Sequence, residues 1–222
     1  MNANPLLPDT LFHLGPVPIG RAVVTTWVIM AALALFLPWA LRNPSMKPGA
    51  VQAVLEIVVT TIARQLREIL GRDPWPFMPL LGSLFIYLCL ANLAAVFPGA
   101  SPPTGHIETP AALALVVFLS VHVFGISSRG ARRYLRHYLE PSPLLLPLNV
   151  LSELTRTFSL MIRLFGNMMS HEFVIAILVF LAGFLLPVPF LLLGIMIGII
   201  QAYIFTVLSA VYIAAAVGAV EA

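Results

Sequence analysis

The sequence predicts an all-α polytopic membrane protein with five transmembrane helices, one amphipathic helix at the membrane surface, and two final helices that are long and strongly tilted. Of its 222 residues, 60% are hydrophobic and only 9% are charged. A soluble domain carries about a quarter charged residues, so an ordinary soluble enzyme is excluded. The apolar runs are far longer than the ~10 residues of a transmembrane barrel strand. We therefore predict a single helical membrane domain over residues 1–222.

The first half of the chain alternates apolar runs with short polar connectors. The segment 50–70 differs from the other runs, because polar residues such as Gln52, Glu56 and Arg64 recur among aliphatic residues at helical spacing. This pattern favours a helix that lies on the membrane surface or packs on other helices. The predicted order is an outer N-terminal segment (1–20), a span (21–41), the surface helix (50–70), a span (77–97), a loop (98–110), a span (111–127) and a basic loop (128–140).

The second half is almost continuously apolar and is broken only at the Pro-Val-Pro sequence 187–189. It therefore predicts two long helices, over 144–186 and 190–220. Helices of about 35 and 30 residues, at 1.5 Å per residue, exceed a hydrocarbon core of about 30 Å. Both must tilt strongly or be partly shielded by protein.

The basic residues predict the orientation of the chain. Nine of the twelve lysines and arginines fall in two connectors, and both connectors lie on the same side if the spans 21–41, 77–97 and 111–127 cross once each. The positive-inside rule places that side, and with it the C-terminus, in the cytoplasm. We expect these residues to face lipid headgroups of the bilayer, not nucleic acid.

One stretch of the helix 144–186 concentrates polar residues at membrane depth. At 100° per residue its polar side chains form one stripe, while Glu172 points away from Arg163. The stripe comprises Ser152, Arg156, Ser159, Arg163 and Asn167, with His171 at its edge. A charged residue at this depth costs about 2.5–3.5 kcal/mol on insertion scales, so these residues are functional candidates.

Arg163 is the strongest of these candidates. The nearest acids on the same helix, Glu172 and Glu153, are nine and ten residues away, so neither neutralises its permanent charge. We expect a buried charge whose partner comes from another helix or another chain. For Arg156 two interpretations stay open, a snorkelling or Glu153-paired arginine and a functional one. For Gln201 interhelical hydrogen bonding and function stay equally open.

Other chemistry finds little support. The histidines and the single Cys89 have no metal-ligand spacing, and there is no phosphate-binding glycine loop, so we expect no metal and no cofactor. A secondary transporter, which normally has internal repeats and broken helices, is the first alternative. An intramembrane enzyme, which would need a nucleophile and a base, is the second.

Two stretches carry a resemblance that extends over the chain after residue 20. SELTRTFSLMIRLFGNMMSHE (152–172), followed by QAYIFTVLSAVYI (201–213), resembles subunit a of the membrane sector of the F-type ATP synthase. The run CLANLAAVFPG (89–99) is similar as well. The resemblance implies a non-catalytic subunit of a multi-pass membrane protein complex, with a bacterial inner membrane as the expected location.

The resemblance also assigns residues. Arg163 matches the family's essential arginine, and Asn167, Glu172 and Gln201 match polar residues that line the ion path. In some members the His and Gly at the positions of His171 and Gly194 are exchanged. This sequence differs from the family pattern at two positions where many members have an acidic residue. Asn149 stands at the first, and His106 and Glu108 are expected to replace an aspartate of the outer loop at the second.

The implied mechanism uses two aqueous half-channels that do not meet. Ions enter one, neutralise a carboxylate on a ring of c subunits and leave by the other, with Arg163 between them as the gate. The expected partners are this c-ring, the b subunits of the peripheral stalk and the remainder of the synthase. H⁺ is the expected ion and Na⁺ the alternative. The outer path is assigned to Glu172, His171 and Asn92, and the inner path to Glu153, Ser159 and Asn149.

Overall fold

The computed structural model describes residues 10–14, 17–40, 49–96, 102–139, 145–183 and 187–218. Within them the chain forms a two-stranded hairpin and seven α-helices. In chain order these are β1 (Thr10–Leu14), β2 (Val17–Gly20), α1 (Arg21–Ala40), α2 (Ala50–Leu70), α3 (Met78–Leu93), α4 (Glu108–Arg129), α5 (Ala131–Leu139), α6 (Leu146–Ala182) and α7 (Pro187–Val217). Two single 3₁₀ turns, Ala94–Val96 and Pro103–Gly105, flank the connection between α3 and α4.

The predicted helical class is confirmed, and the helices α1–α4, α6 and α7 begin and end within a few residues of the predicted bounds. Glycines in left-handed backbone conformations separate several of them. Gly71 has a φ of 61° and donates its N–H to the carbonyl of Arg67, which ends α2. Such a conformation favours glycine because it has no Cβ, and this explains the sharp turn between α2 and α3.

Two elements differ from the prediction. The segment 128–140, predicted as a basic loop, contains the helix α5, which Gly130 separates from α4. Tyr134 of α5 is buried against Gly125 of α4, where an added Cβ would overlap the tyrosine ring. This packing stabilises a helix that is too short to form alone. The N-terminal segment 1–20, for which no strand was predicted, contains the antiparallel pair β1 and β2.

The core lies where α3 packs along α7. Leu81, Leu88 and Ala91 of α3 are fully buried, as are Ala202 and Ala210 of α7. The small residues on α7 let the two helices approach closely, as in many membrane bundles. The helix α4 packs against both α6 and α7 and completes the bundle.

The predicted surface helix α2 packs one face on the bundle. Its buried residues Ile62, Leu66 and Leu70 recur at intervals of four, and the helix contacts α7 and α3. Tyr203 of α7 donates its hydroxyl to Oε1 of Gln65 at 2.9 Å. The sequence predicted that this helix either lies on the membrane surface or packs on other helices, and the structure shows packing on other helices.

Within the described part of the chain, three helices are long and apolar enough to cross a membrane, namely Glu108–Arg129, Leu146–Leu181 and Pro187–Val217. Arg21–Phe36 and Met78–Leu93 are shorter apolar helices. The lengths of α6 and α7, 37 and 31 residues, agree with the predicted over-long pair. Two of the nine basic residues in the connectors, Arg42 and Lys47, lie outside the described part of the chain, and so do the C-terminal residues 219–222.

Candidate functional site

Arg163 lies on an exposed face of α6. Its neighbours Leu160 and Leu164 are buried in the bundle. Because successive side chains are rotated by 100° around a helix, the Arg163 side chain points away from this buried face and is exposed. Among the described residues no side chain forms an ion pair or a hydrogen bond with Arg163. The sequence predicted a partner for this charge on another helix or on another chain. Since the described residues provide none, a partner on another chain stays a prediction.

The polar stripe predicted on α6 is a continuous exposed surface. Ser152, Arg156, Ser159 and Asn167 are exposed together with Arg163. The guanidinium of Arg156 lies 5.7 Å from the centre of the Tyr212 ring on α7, a cation–π distance.

An open cleft of about 380 Å³ runs beside this contact, and among the described side chains Arg156 forms no ion pair with Glu153. The cleft is lined by Leu148, Leu151, Ser152, Thr155, Arg156, Ser159 and Tyr212. The inner candidates Glu153 and Asn149 are half-buried at the start of α6, one turn apart.

Asn167 and Gln201 join α6 to α7 just beyond Arg163. The Asn167 Nδ2 donates to Gln201 Oε1 at 2.7 Å, and Gln201 is only 3% exposed. The Gln201 Nε2 is buried and has no hydrogen-bond partner among the described residues. A buried amide donor of this kind is costly to leave unpaired. Both residues were predicted as site residues, and the structure brings them into direct contact one turn from Arg163.

Asn92 lies in a second buried polar cluster, between α3, α7 and the Pro103–Gly105 turn. Its Nδ2 donates to the carbonyl of Gly198 at 2.8 Å, and its Oδ1 accepts from the Thr104 hydroxyl at 2.8 Å. Asn92 is 3% exposed and Thr104 is fully buried. The sequence did not single out Thr104, because the partner of Asn92 becomes visible only when the turn folds back onto α3.

Glu172 lies on α6 where the same turn packs against the helix, well before the helix ends at Ala182. A Cβ added to Gly105 would come within 3.0 Å of the Glu172 carboxylate, and His106 lies within electrostatic range of it. His171 packs against Gly194 of α7, where an added Cβ would overlap the imidazole. The structure therefore brings Glu172 and His171 to the end of the bundle where Asn92 is buried.

Glu108 lies elsewhere. It lines an apolar groove of about 520 Å³ between α1, α3 and α4, together with Thr26 and Tyr87. Of the two residues expected to replace an outer acid, His106 directly follows Gly105, which lies against Glu172, whereas Glu108 lines this groove. No group of three His, Cys, Asp or Glu side chains in the described ranges could hold a metal ion.

The fold and this surface define a class of protein, a helical polytopic membrane protein with a cationic stripe exposed on a membrane-length helix. Comparisons then identify the family. The family profile of the ATP synthase A chain matches residues 23–214. The chain is 56% identical to ATP synthase subunit a 2 of a Bradyrhizobium species, with 99% of both chains covered.

Other relatives extend the same comparison. The chain is 46% identical to ATP synthase subunit a 2 of Pelobacter propionicus over 96% of this chain and 94% of the relative. It is 44% identical to ATP synthase subunit a of Moorella thermoacetica over 93% and 95%, respectively. The chain therefore belongs to the ATP synthase subunit a family.

Proposed function

We propose that this chain is the stator subunit that passes H⁺ between two half-channels and the carboxylates of a rotating c-ring, with Arg163 as the gate. Family membership makes it a non-catalytic component of the membrane sector of an F-type ATP synthase. The named relatives are bacterial proteins, so the proposed location is a bacterial inner membrane. The proposal includes the b subunits of the peripheral stalk as further partners.

The observation that carries the proposal is the exposed Arg163, which lies within an apolar helix and has no ion-pair partner among the described residues. A guanidinium stays protonated under all relevant conditions, and its exposure to lipid alone would be strongly unfavourable. A carboxylate from a neighbouring chain would neutralise it. Because a dry, tight ion pair would stop a rotor, the contact must be transient and hydrated.

The polar clusters lie on either side of Arg163 along α6. Glu172 is nine residues away towards one end and Glu153 ten residues away towards the other, which is about 14 Å and 15 Å along the axis. Neither carboxylate reaches the guanidinium directly. We propose that Glu172, His171 and Asn92 belong to the outer path, and Glu153, Ser159 and Asn149 to the inner path.

Gln201 and Asn167 lie next to the gate itself. Their hydrogen bond fixes α7 against α6 at this level, which holds the backbone beside Arg163 in place. The buried Gln201 Nε2 has no hydrogen-bond partner among the described residues, and it would donate to water or to a carboxylate that entered beside it. We propose that both residues line the point where the ion is exchanged with the ring.

The proposed membrane arrangement has five crossings, by α1, α3, α4, α6 and α7, with the C-terminus in the cytoplasm and the whole chain forming one membrane domain. The helix α6 is about 55 Å long, against a hydrocarbon core of about 30 Å. A strong tilt reconciles the two lengths and lays the stripe along a neighbouring ring.

A secondary transporter is a weaker alternative. Its binding site is normally formed by helices broken at the bilayer midplane. The helices α6 and α7 run continuously over 37 and 31 residues. Transport by the subunit alone, without a ring, would favour this alternative.

The proposal is tested by ATP-driven proton uptake into vesicles that contain the assembled complex. Arg163→Ala should abolish uptake while the subunit still co-purifies with the complex. Arg64→Ala, which removes an exposed arginine from α2, is the matched control and should retain uptake. Normal pumping by Arg163→Ala would refute the gate. Na⁺ uptake in place of H⁺ uptake by the unmodified complex would refute the assigned ion.

A further inference from the structure

An open groove of about 570 Å³ lies between α4 and α6. Leu115 and Phe118 of α4 belong to one wall, and Leu154 and Phe158 of α6 belong to the other. Leu154 precedes Arg163 by nine residues, which at 100° each make about two and a half turns. The groove and the Arg163 stripe therefore lie on opposite faces of α6, so the groove is separate from the proposed contact with the ring.

The walls of this groove are apolar. Leu115 and Phe158 are more than half exposed in it. The hydroxyls of Thr155 and Thr157, which also line the groove, already donate to backbone carbonyls of the preceding turn of α6. A polar occupant would lose its hydrogen bonds to water and gain none here, which is costly. The groove therefore suits a hydrocarbon chain.

The helix α5 lies at one end of the groove. On α4 the groove face continues from Phe118 through His122 to Gly125, at intervals of four and three residues. Tyr134 of α5 packs on this face, because its ring lies 6.0 Å from the His122 ring and an added Cβ at Gly125 would overlap it. The helix α5 also contacts α6. It therefore touches both helices that form the groove.

This end of the groove is strongly basic. The segment 127–139 has no acidic residue and four arginines, namely Arg129, Arg132, Arg133 and Arg136. Arg132 and Arg133 are exposed, and neither forms an ion pair or a hydrogen bond with another described residue. A basic cluster directly after a membrane-length helix attracts anionic lipid headgroups. The charge of α5 therefore complements a phosphate at the same end of the bundle.

The distance from the groove to the arginines matches one leaflet of a bilayer. Phe118 and Arg129 are eleven residues apart on α4, which is about 16 Å along the helix axis. Half of a hydrocarbon core of about 30 Å is about 15 Å. A phospholipid with its headgroup at α5 therefore has its acyl chains at the level of the groove.

We propose that the groove between α4 and α6 binds one anionic phospholipid. The exposed arginines of α5 hold its phosphate, and one acyl chain lies between Leu115 and Phe158. This inference rests on the proposed crossing of the membrane by α4 and α6, and not on the proposed gate. Because the site lies behind α6, the bound lipid fills the space between the two helices without entering the contact with the ring.

The experiment measures the lipid that the purified, detergent-solubilised complex retains. The complex is incubated with equal amounts of phosphatidylglycerol and phosphatidylcholine, purified again, and its bound lipids are counted by mass spectrometry. We expect it to retain phosphatidylglycerol in preference to phosphatidylcholine, since both have the same chains and only the first carries a net negative charge.

Two pairs of arginines test the headgroup contact. Arg132→Gln combined with Arg133→Gln should raise the phosphatidylglycerol concentration for half retention about thirtyfold, which corresponds to about 1 kcal/mol for each arginine. Arg64→Gln combined with Arg67→Gln removes two exposed arginines from α2 and is the matched control. This control should retain phosphatidylglycerol at the unmodified concentration.

Two leucines of α4 test the acyl chain separately from the headgroup. Leu115→Trp should lower the retention of phosphatidylglycerol severalfold, because the indole ring fills the space that the chain would occupy. Leu119→Trp is the matched control: Leu119 is 54% exposed, against 55% for Leu115, but it is not among the described residues that line the groove. This control should retain phosphatidylglycerol normally.

Several results would overturn the site. Equal retention of the two lipids, or normal retention after the loss of Arg132 and Arg133, would refute an anionic headgroup at α5. Equal retention by Leu115→Trp and Leu119→Trp would refute an acyl chain in the groove. If Leu115→Trp detached another subunit and left the retained phosphatidylglycerol unchanged, a helix of that subunit would occupy the groove instead of lipid.

The same assay separates this inference from the proposed function. Arg163→Ala should retain phosphatidylglycerol normally, because Arg163 lies on the opposite face of α6. Normal proton pumping by Arg163→Ala would therefore refute the gate and leave the lipid site standing, whereas the lipid results above would refute the site and leave the gate standing.

Discussion

A single methyl group added at Gly198 should loosen the contact between α3 and α7. A Cβ at this position would lie 2.9 Å from the Cβ of Asn92. Carbon atoms pack at about 3.5–4.0 Å, so the two atoms must separate by roughly 0.6–1.1 Å. The Asn92 Cβ is attached directly to the α3 backbone, and rotation of the side chain cannot relieve the overlap. We therefore expect Gly198→Ala to push the helices apart.

The cost follows from two effects. Overpacking in a rigid contact costs about 1–3 kcal/mol. The same displacement would stretch the 2.8 Å hydrogen bond that the Asn92 amide donates to the Gly198 carbonyl. Leaving a buried amide without a hydrogen-bond partner costs about 1–3 kcal/mol. Since one movement causes both effects, we expect a total of about 2–4 kcal/mol. For a chain of this size that lowers the Tm by about 5–15 °C.

The assay is thermal release of the subunit from the purified complex in a fixed detergent. Gly82→Ala on α3 is the matched control, because its nearest contact would be the Met78 Cε at an ordinary 3.7 Å. We expect Gly82→Ala to release at the unmodified temperature or slightly above it. Equal release temperatures for Gly198→Ala and Gly82→Ala would refute the close α3–α7 contact and the magnitude derived from it.

Two other glycines give predictions of the same kind. Gly194→Ala should displace the His171 imidazole at a cost of about 1–3 kcal/mol and lower the release temperature. Adding His171→Gly to the same chain should restore the release temperature. A double variant that still releases early would contradict the contact. Gly105→Ala should move the Glu172 carboxylate, which a Cβ would meet at 3.0 Å, and should slow proton conduction severalfold with assembly intact. Gly49→Ala, where nothing lies within 4 Å of the added Cβ, should conduct normally, and equal conduction by the two variants would contradict a role for this contact.

Most of the fold could be predicted because hydrophobicity and helical periodicity act locally. The polar residues of 50–70 recur at helical spacing, and α2 forms there with one buried face. The helix α5 could not be predicted in this way. It is nine residues long, and isolated helices of that length are marginal in water. The contact of Tyr134 with Gly125 stabilises it, and this contact exists only after α4 and α5 have packed.

The candidate site also has a part that could be predicted from local sequence and a part that could not. The stripe around Arg163 follows from the 100° rotation per residue and could be predicted in full. The hydrogen bond from Asn92 to Gly198 joins residues separated by 106 positions, and no local sequence pattern indicates it. The same holds for the contact of Gly105 with Glu172 and for the separation of His106 from Glu108. Sequence periodicity therefore predicts which face of a helix is polar, but not which loop packs against that helix.

The way α6 is anchored explains how an exposed charge can keep a fixed position. Around Arg163, the buried residues of α6 in the described part of the chain are Leu160, Leu164 and Met168, which recur every four positions on one side of the helix. Arg163 lies about 100° around the helix from the middle of that buried line, at the edge next to α7. The backbone at this level is thus held by close packing while the guanidinium stays accessible. The proposed contact with a rotating ring needs both properties, because Arg163 would have to keep its place as successive carboxylates pass and would have to release each of them.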